Sequence, residues 1–475
     1  MIFNSFDFIW IFPLLYLCYY YIGLNNRCLS HLRCDNIFLI AISYLLYFKY
    51  NPVYVLILFG VTLVSYICGF LIERRNKKRY NIVCFIWSVI LILFPLFLFK
   101  YYNFFVSFVS AVSRFVGLEV GLPGLNYVMP LGISFYTLQA IGYMYDVYNK
   151  KIHAETNFLD YMLFVCFFPQ IVCGPISRAE DLLPQIKKRR KFSELQTVMG
   201  LRYLLWGLFL QVVVADRLGI TVKYVLDSYQ WQSGLFCWIA SIFYTFQIYC
   251  DFAGYSLMAV GVGKVFGFEL INNFKRPYFS LSITDFWHRW HISLSSWLRD
   301  YVYIPLGGSH CSKRRNYLNI VITFLVSGLW HGANITFIVW GGLHGLFQVI
   351  EKYFGLNSLN PTGYGKFARI VSTFLLVNLL WLFFYMPSIE DAICILKKMT
   401  IDFSVGIDVA IPTILWNFVL IACVLFNDFN EEYSTNRTLI YNKNPIFRWG
   451  GYLLFVFLIL FAGVFDAGQF IYESF

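Results

Sequence analysis

Charge is what this chain has least of. Of its 475 residues only 13% are Asp, Glu, Lys or Arg, where soluble globular chains carry roughly 25%. With 59% hydrophobic residues and a mean hydropathy of +0.63, there is too little polar side chain to cover a water-soluble surface. Histidine is also scarce, with 7 in the whole chain. The 12 cysteines include no C-x-x-C pair. Most of them, such as Cys68, Cys84, Cys166, Cys173 and Cys423, lie in apolar runs, where a thiol behaves as a small hydrophobe. That spacing argues against a disulfide framework and against a metal site. No segment repeats with a period of about 20–50 residues, which excludes a solenoid or a transporter built from overt repeats.

Long apolar runs are what the chain has instead. Pro52–Ile72 and Ile82–Phe99 approach the ~20 residues that a helix needs to cross a bilayer. Phe6–Ile22 lacks a basic leader and a small-residue cleavage site, so it reads as a retained helix. The formal charge of +11 sits in short connecting loops rather than along a stripe. This is the positive-inside pattern and not a nucleic-acid surface. Arg74, Arg75, Lys77, Lys78 and Arg79 form one cluster, Lys187, Lys188, Arg189, Arg190 and Lys191 a second, and Lys313, Arg314 and Arg315 a third. All three are expected to face the cytoplasm. Four crossings, Ile82–Phe99, Phe104–Leu118, Tyr127–Tyr148 and Phe158–Gly174, separate the first two clusters and preserve parity. Arg27 and Arg33 mark a cytoplasmic turn, and Asn51-Pro52 breaks a short hairpin, which puts the N-terminus outside.

Further spans are expected at Val198–Val214, Leu235–Tyr249, Leu318–Leu329, Ile335–Ile350, Ile370–Met386, Ile411–Phe426 and Gly450–Val464, with a loop over Asn427–Pro445. The expected fold is therefore all-α and polytopic, a single integral membrane domain over residues 1–475. Roughly ten to thirteen membrane helices are expected, several too short or broken to cross cleanly.

Polar residues gather between Gln247 and Gly308, inside an expected core region of residues 247–350. There Asp251, Lys264, Asp285, His288, Arg289, His291, Arg299 and Asp300 are interleaved with Trp287, Trp290 and Trp297. Ionisable groups at the bilayer centre cost about 2.5–3.5 kcal/mol each, so these must pair, lie at the interface or line a wet cavity. Asp251, Arg289, Arg299 and Asp300 are read as pairing with one another. Ser282 or Thr284 is placed to cap a helix from about Asp285 to Leu298, interfacial or re-entrant in character, ended by Pro305 and the following glycines. His288 and His291 would share one face of it, but two histidines without further ligands make a poor zinc site, and no metal is expected. His331 differs in kind. It lies between two apolar runs, flanked by Gly328 and Gly332, which let neighbouring backbone approach. Burial favours the neutral imidazole that a general base requires. His344, in a similar Gly-Leu-His-Gly setting, reads as structural.

Five segments carry a resemblance: MPLGISFYTLQAIGYMYDVY (Met129–Tyr148), FFPQIVCGPISRAEDLLPQ (Phe167–Gln185), QIYCDFAGYS (Gln247–Ser256), FWHRWHISLSSWLRDYVYIPLGGS (Phe286–Ser309) and GLWHGANITFIVWGGLHG (Gly328–Gly345). With the C-terminal GQFIYESF, they resemble the membrane-bound O-acyltransferase (MBOAT) family, in particular its alginate O-acetyltransferase branch. The resemblance implies a helical membrane fold with a central funnel, in which His291 and His331 are both required and His331 is the main catalytic residue. It makes Trp330, Asn334, Trp290, Arg289, Ser293 and Asp300 candidates for the substrate tunnel. It implies no bound cofactor but a thioester co-substrate, acetyl-CoA or an acyl carrier protein, to which Lys313–Arg315 are possible neighbours. An SGNH-type (GDSL-like) transferase outside a bacterial cytoplasmic membrane would complete delivery to a polysaccharide.

Two departures from the family pattern stand out. His288 replaces an arginine, and Leu210-Gln211 replaces a basic pair. Neutral His331 would then accept the acceptor's hydroxyl proton while His291 orients it or supports the oxyanion. A covalent acyl-histidine and direct transfer both stay open. Rival readings are D-alanyl transfer to teichoic acid, a transporter or flippase without acyl chemistry, and a scaffold for a periplasmic enzyme. Alginate, cellulose, another exopolysaccharide and peptidoglycan all stay open as acceptors.

Overall fold

In the computed structural model the described residues are 3, 6–25, 33–75, 77–117, 121–171, 174–358, 361–404, 409–434 and 439–465. Arg27, Cys173 and the C-terminal GQFIYESF lie outside them. The described chain is helical with no strand. Seven helices are long and apolar enough to cross a membrane. Five more, Phe6–Asn25, Cys34–Tyr50, Ile133–Tyr148, Lys313–His331 and Ile335–Tyr353, run 16 to 20 residues. Their outward faces are greasy, as Ile82, Trp87, Ile90, Leu91 and Phe94 show along one helix.

The sequence was read as one domain, and its contacts divide into two compact units. One comprises Met1–Gly200 with Val262–Ile271, the other Leu201–Gly261 with Asn272–Ser474. In the first, helix Tyr54–Arg74 lies against Ile133–Tyr148 so closely that a Cβ on Gly69 would stand 2.8 Å from the Tyr143 ring. Arg190 does more there than mark topology. Its guanidinium is nearly buried and bonds the Tyr19 hydroxyl at 2.6 Å, Asp35 at 2.6 Å and the Asn36 side chain.

Four crossings were expected between the first two basic clusters, and the first two of these are one helix. Lys78–Phe115 runs unbroken for 38 residues, about 57 Å at 1.5 Å per residue. Lys100–Asn103 part the two expected crossings in the sequence. A π-helical turn at Phe97–Tyr101 absorbs the disruption instead, as π-bulges do. The parity argument therefore loses its count. The expected loop over Asn427–Pro445 is also shorter, because helix Ile411–Tyr433 carries through Glu431 and Glu432. Those two carboxylates take up Arg276. The ten described cysteines are free thiols.

The second unit holds every candidate site residue. Its closest helix pair is Lys313–His331 and Ile335–Tyr353, joined by a three-residue turn. Ser312 caps the first helix by accepting from the Arg315 N–H, and Asn334 caps the second by accepting from the Thr336 N–H. Gly328 on the first helix meets Gly341 on the second, which with Gly345 makes a small-xxx-small pattern that lets helix backbones meet in apolar surroundings. A Cβ on Gly341 would sit 2.3 Å from the Phe324 carbonyl oxygen.

Candidate active site

The helix expected from Asp285 to Leu298 is two helices. Ser282 caps the first, Ile283–Arg289, by accepting from the Asp285 N–H at 3.0 Å. The Glu351 carboxylate accepts the Ile283 and Thr284 N–H groups at 2.6 and 3.1 Å, a favourable place for an anion at a helix start. The chain then breaks at Trp290–His291, where His291 takes a left-handed conformation with φ 42°, and a second helix runs Ile292–Leu298. His288 and His291 therefore do not share a helix face. His288 is exposed while His291 is fully buried.

The break turns the His291 ring inward, edge-on to Phe252 at 4.6 Å and to Trp330 at 5.9 Å between centroids. Trp330 in turn meets His331 at 4.8 Å. Trp330 thus forms an indole bridge between the two imidazoles, which lie 40 residues apart in the chain. His331 ends its helix and packs edge-on against Trp340 at 5.1 Å and Phe384 at 5.4 Å. His291 lies outside the seven crossing helices. Burial alone pushes its imidazole down to about 3, so the ring is neutral throughout the physiological range.

A cavity of about 400 Å³ lies along the same helices, with neither imidazole among its lining residues. Its wall includes Ser327, one turn before His331, and Ile292, next to His291. Lys352, Arg299, His288 and Gln348 supply polar lining, and Ile320, Phe324, Leu298 and Trp287 apolar lining. Lys352 is held by Asn316, its Nζ 2.6 Å from Oδ1. The Trp287 indole donates to His344 Nδ1 at 3.2 Å, which places the proton of a neutral His344 on Nε2. His344 therefore fixes one wall of the cavity. Replacing it with Phe is expected to leave the buried indole N–H unsatisfied and to cost about 1–3 kcal/mol, read as a lowered melting temperature in detergent.

The structure brings together His291, His331 and Trp330 among the expected site residues. Ser293 lies two residues beyond His291, buried, with its N–H donated to Asn273. Trp290 is buried in an aromatic cluster with Phe286, Phe274 and Trp381. Arg289 is tied to Asp285 at 2.9 Å and Glu432 at 3.0 Å. Asn334 caps a helix and donates to the Pro387 carbonyl at 2.8 Å. Asp300 pairs with its neighbour Arg299 at 2.7 Å. Arg299 and Asp300 thus pair as expected, but Asp251 accepts from neutral Gln211 at 3.3 Å. Gln211 and Leu210 are buried, so the departure there concerns packing rather than an exposed donor contact. Among the described residues no cluster of His, Cys, Asp or Glu could hold a metal ion. Sequence reasoning missed Asn273, Lys352 and Ser327. An Asn-Asn pair, a helix-end lysine and a mid-helix serine carry no signal without their partners.

This is a many-helix membrane protein in which two buried histidines meet through Trp330. Residues 146–384 match the model of the MBOAT, membrane-bound O-acyltransferase, family. The chain is 38% identical over 402 residues to a probable alginate O-acetylase AlgI of Pseudomonas syringae pv. tomato, covering 82% of this chain and 74% of that one. It is 34% identical to a peptidoglycan O-acetyltransferase of Helicobacter pylori, covering 76% and 73%. More distantly, it is 26% identical to a teichoic acid D-alanyltransferase of Bacillus subtilis, covering 74% and 88%. The chain belongs to the MBOAT family and is a multi-pass membrane O-acyltransferase.

Proposed function

We propose that this enzyme takes an acetyl group from a cytoplasmic thioester, coenzyme A or a carrier-borne phosphopantetheine, and delivers it across the membrane. An SGNH-type transferase outside then places it on a cell-envelope or secreted polysaccharide. The observation that carries the reading is the pair of buried imidazoles joined through Trp330 beside the cavity. Relatives named for alginate and peptidoglycan O-acetylation support the acetyl group and a polymeric acceptor. The D-alanyl reading is supported only by the more distant relative.

Orientation follows from charge. Lys313, Arg314 and Arg315 open one helix of the glycine-seamed hairpin, and Lys352 closes the other. The positive-inside rule puts that end in the cytoplasm. His331 then lies about 27 Å along its helix from the basic end, toward the outer face. The cavity's polar and cationic lining suits a phosphate-bearing arm, and its apolar lining suits the thioester end.

In the reaction His331 accepts the acceptor hydroxyl's proton as that oxygen bonds to the thioester carbonyl carbon. The C–S bond breaks, and the departing thiolate takes the proton from His331, so no net proton is released. His291 orients this exchange or supports the oxyanion. Purified enzyme is expected to release free thiol from an acetyl thioester as a hydroxyl acceptor is acetylated. Folded protein that releases no thiol with donor and acceptor both present would falsify the reading. Lys352→Glu is expected to raise the donor KM about 10-fold or more, with a smaller change in kcat. Loss of one uniform binding contact has that signature, and steady-state kinetics at two salt concentrations measure it. A donor KM unmoved by Lys352→Glu removes this cavity as the donor route.

A further inference from the structure

We propose that Asn273 is a positioning residue for acyl transfer, supplying in place of His291 the capping oxygen that the Ile292–Leu298 helix needs. The inference rests on the reading of His291 as part of the acyl-transfer machinery.

His291 occupies the N-cap of this helix. An N-cap side chain ordinarily accepts a hydrogen bond from the second or third N–H of its helix. His291 makes no such bond, because its ring is turned into the cluster of Phe252 and Trp330. The second N–H, that of Ser293, donates instead to Asn273 Oδ1 at 3.2 Å. The first, that of Ile292, donates to the Asn273 carbonyl at 2.9 Å. On the other side of the break, the Lys275 N–H donates to the Arg289 carbonyl at 2.9 Å. The Asn273–Lys275 segment therefore brackets His291 from both sides.

The bracket has work to do. A left-handed conformation is unfavourable for any residue with a Cβ, and only three non-glycine residues adopt a positive φ in the described chain. Trp290 has already left the preceding helix in an extended conformation, φ −103° and ψ 130°, and the left-handed step at His291 starts the next helix with the imidazole against Trp330. Asn273 is 1% exposed, and its Nδ2 has no hydrogen-bond partner among the described residues. What the turn uses from this side chain is its acceptor oxygen. The arrangement leaves His291 free of capping duty, so that its imidazole faces the reaction.

The test uses full-length enzyme in detergent with an acetyl thioester donor. Asn273→Leu is expected to lower kcat about 10- to 100-fold with little change in donor KM, since misplacement by about 1 Å can cost 10²-fold. Asn273→Asp, which keeps the acceptor oxygen, is expected to return kcat to within about 3-fold of wild type. Combined with His291→Ala, Asn273→Leu is expected to add no further loss, because two residues acting through one group are non-additive. If Asn273→Leu lowers the yield of folded protein, Asn273→Ala takes its place in the same comparison. Wild-type kcat in the apolar variants, an inactive Asn273→Asp, or full additivity with His291→Ala overturns the proposal. A fully active His291→Ala points elsewhere, to failure of the underlying reading of His291.

Discussion

Replacing His331 with alanine is expected to abolish acyl transfer to within assay background, a loss of at least about 10³-fold in kcat, while the protein still inserts and purifies normally. General-base catalysis is worth about 10²–10⁴-fold. The loss should reach the upper part of that range because the rings packed edge-on around it, Trp330, Trp340 and Phe384, offer no base in its place. His331→Gln separates chemistry from shape. Glutamine fills a comparable volume and can hydrogen-bond, but it cannot shuttle a proton at neutral pH, so it should be as inactive as alanine. Because the loss is in a step and not in binding, kcat and kcat/KM should fall together. Thiol release from an acetyl thioester in the presence of a hydroxyl acceptor, normalised to folded enzyme on a sizing column, measures it. Turnover within about tenfold of wild type in either variant would remove His331 from the chemistry.

How far the sequence could be read depended on the range of the interactions involved. The long apolar runs, the basic loops and the histidine between glycines were legible, since hydropathy, charge and local spacing are properties of short segments. The break at His291 was not. FWHRWHISLSSWL (Phe286–Leu298) follows a start signal at Ser282 and has no glycine or proline to stop a helix before Pro305. The left-handed turn is imposed by Asn273, 18 residues upstream, through contacts that no local pattern encodes. The same limit explains the Lys78–Phe115 helix, where polar Lys100–Asn103 part the two expected crossings and a π-turn at Phe97–Tyr101 carries the helix on. It explains Lys352 as well, whose place in the cavity depends on Asn316 from the facing helix. Arg289 was expected to form ion pairs, and it does, but one of its two partners, Glu432, is 143 residues away and carries no signal in the local sequence.

Gly328→Val is expected to cost the protein its fold, and with it the geometry of His331. A Cβ at Gly328 would lie 2.2 Å from the Phe337 carbonyl oxygen and 3.2 Å from the Ile338 Cα. Both are backbone atoms of the facing helix, so no side-chain rotation relieves the clash. The two helices must separate. Gly341 bears on the same seam from the other side, where a Cβ would lie 3.1 Å from the Gly328 Cα, so separation there unpacks the whole hairpin. Ordinary overpacking costs about 1–3 kcal/mol, and a backbone collision should fall at or above the top of that range. In lipid, where close packing rather than water exclusion holds helices together, little else compensates. Gly342→Ala is the control, because its Cβ would meet only the end of the Leu325 side chain at 3.3 Å. The expected outcome is aggregated or low-melting Gly328→Val protein beside a Gly342→Ala variant that melts like wild type. Equal melting of the two would mean that the glycine seam is not what holds His331 against its neighbours.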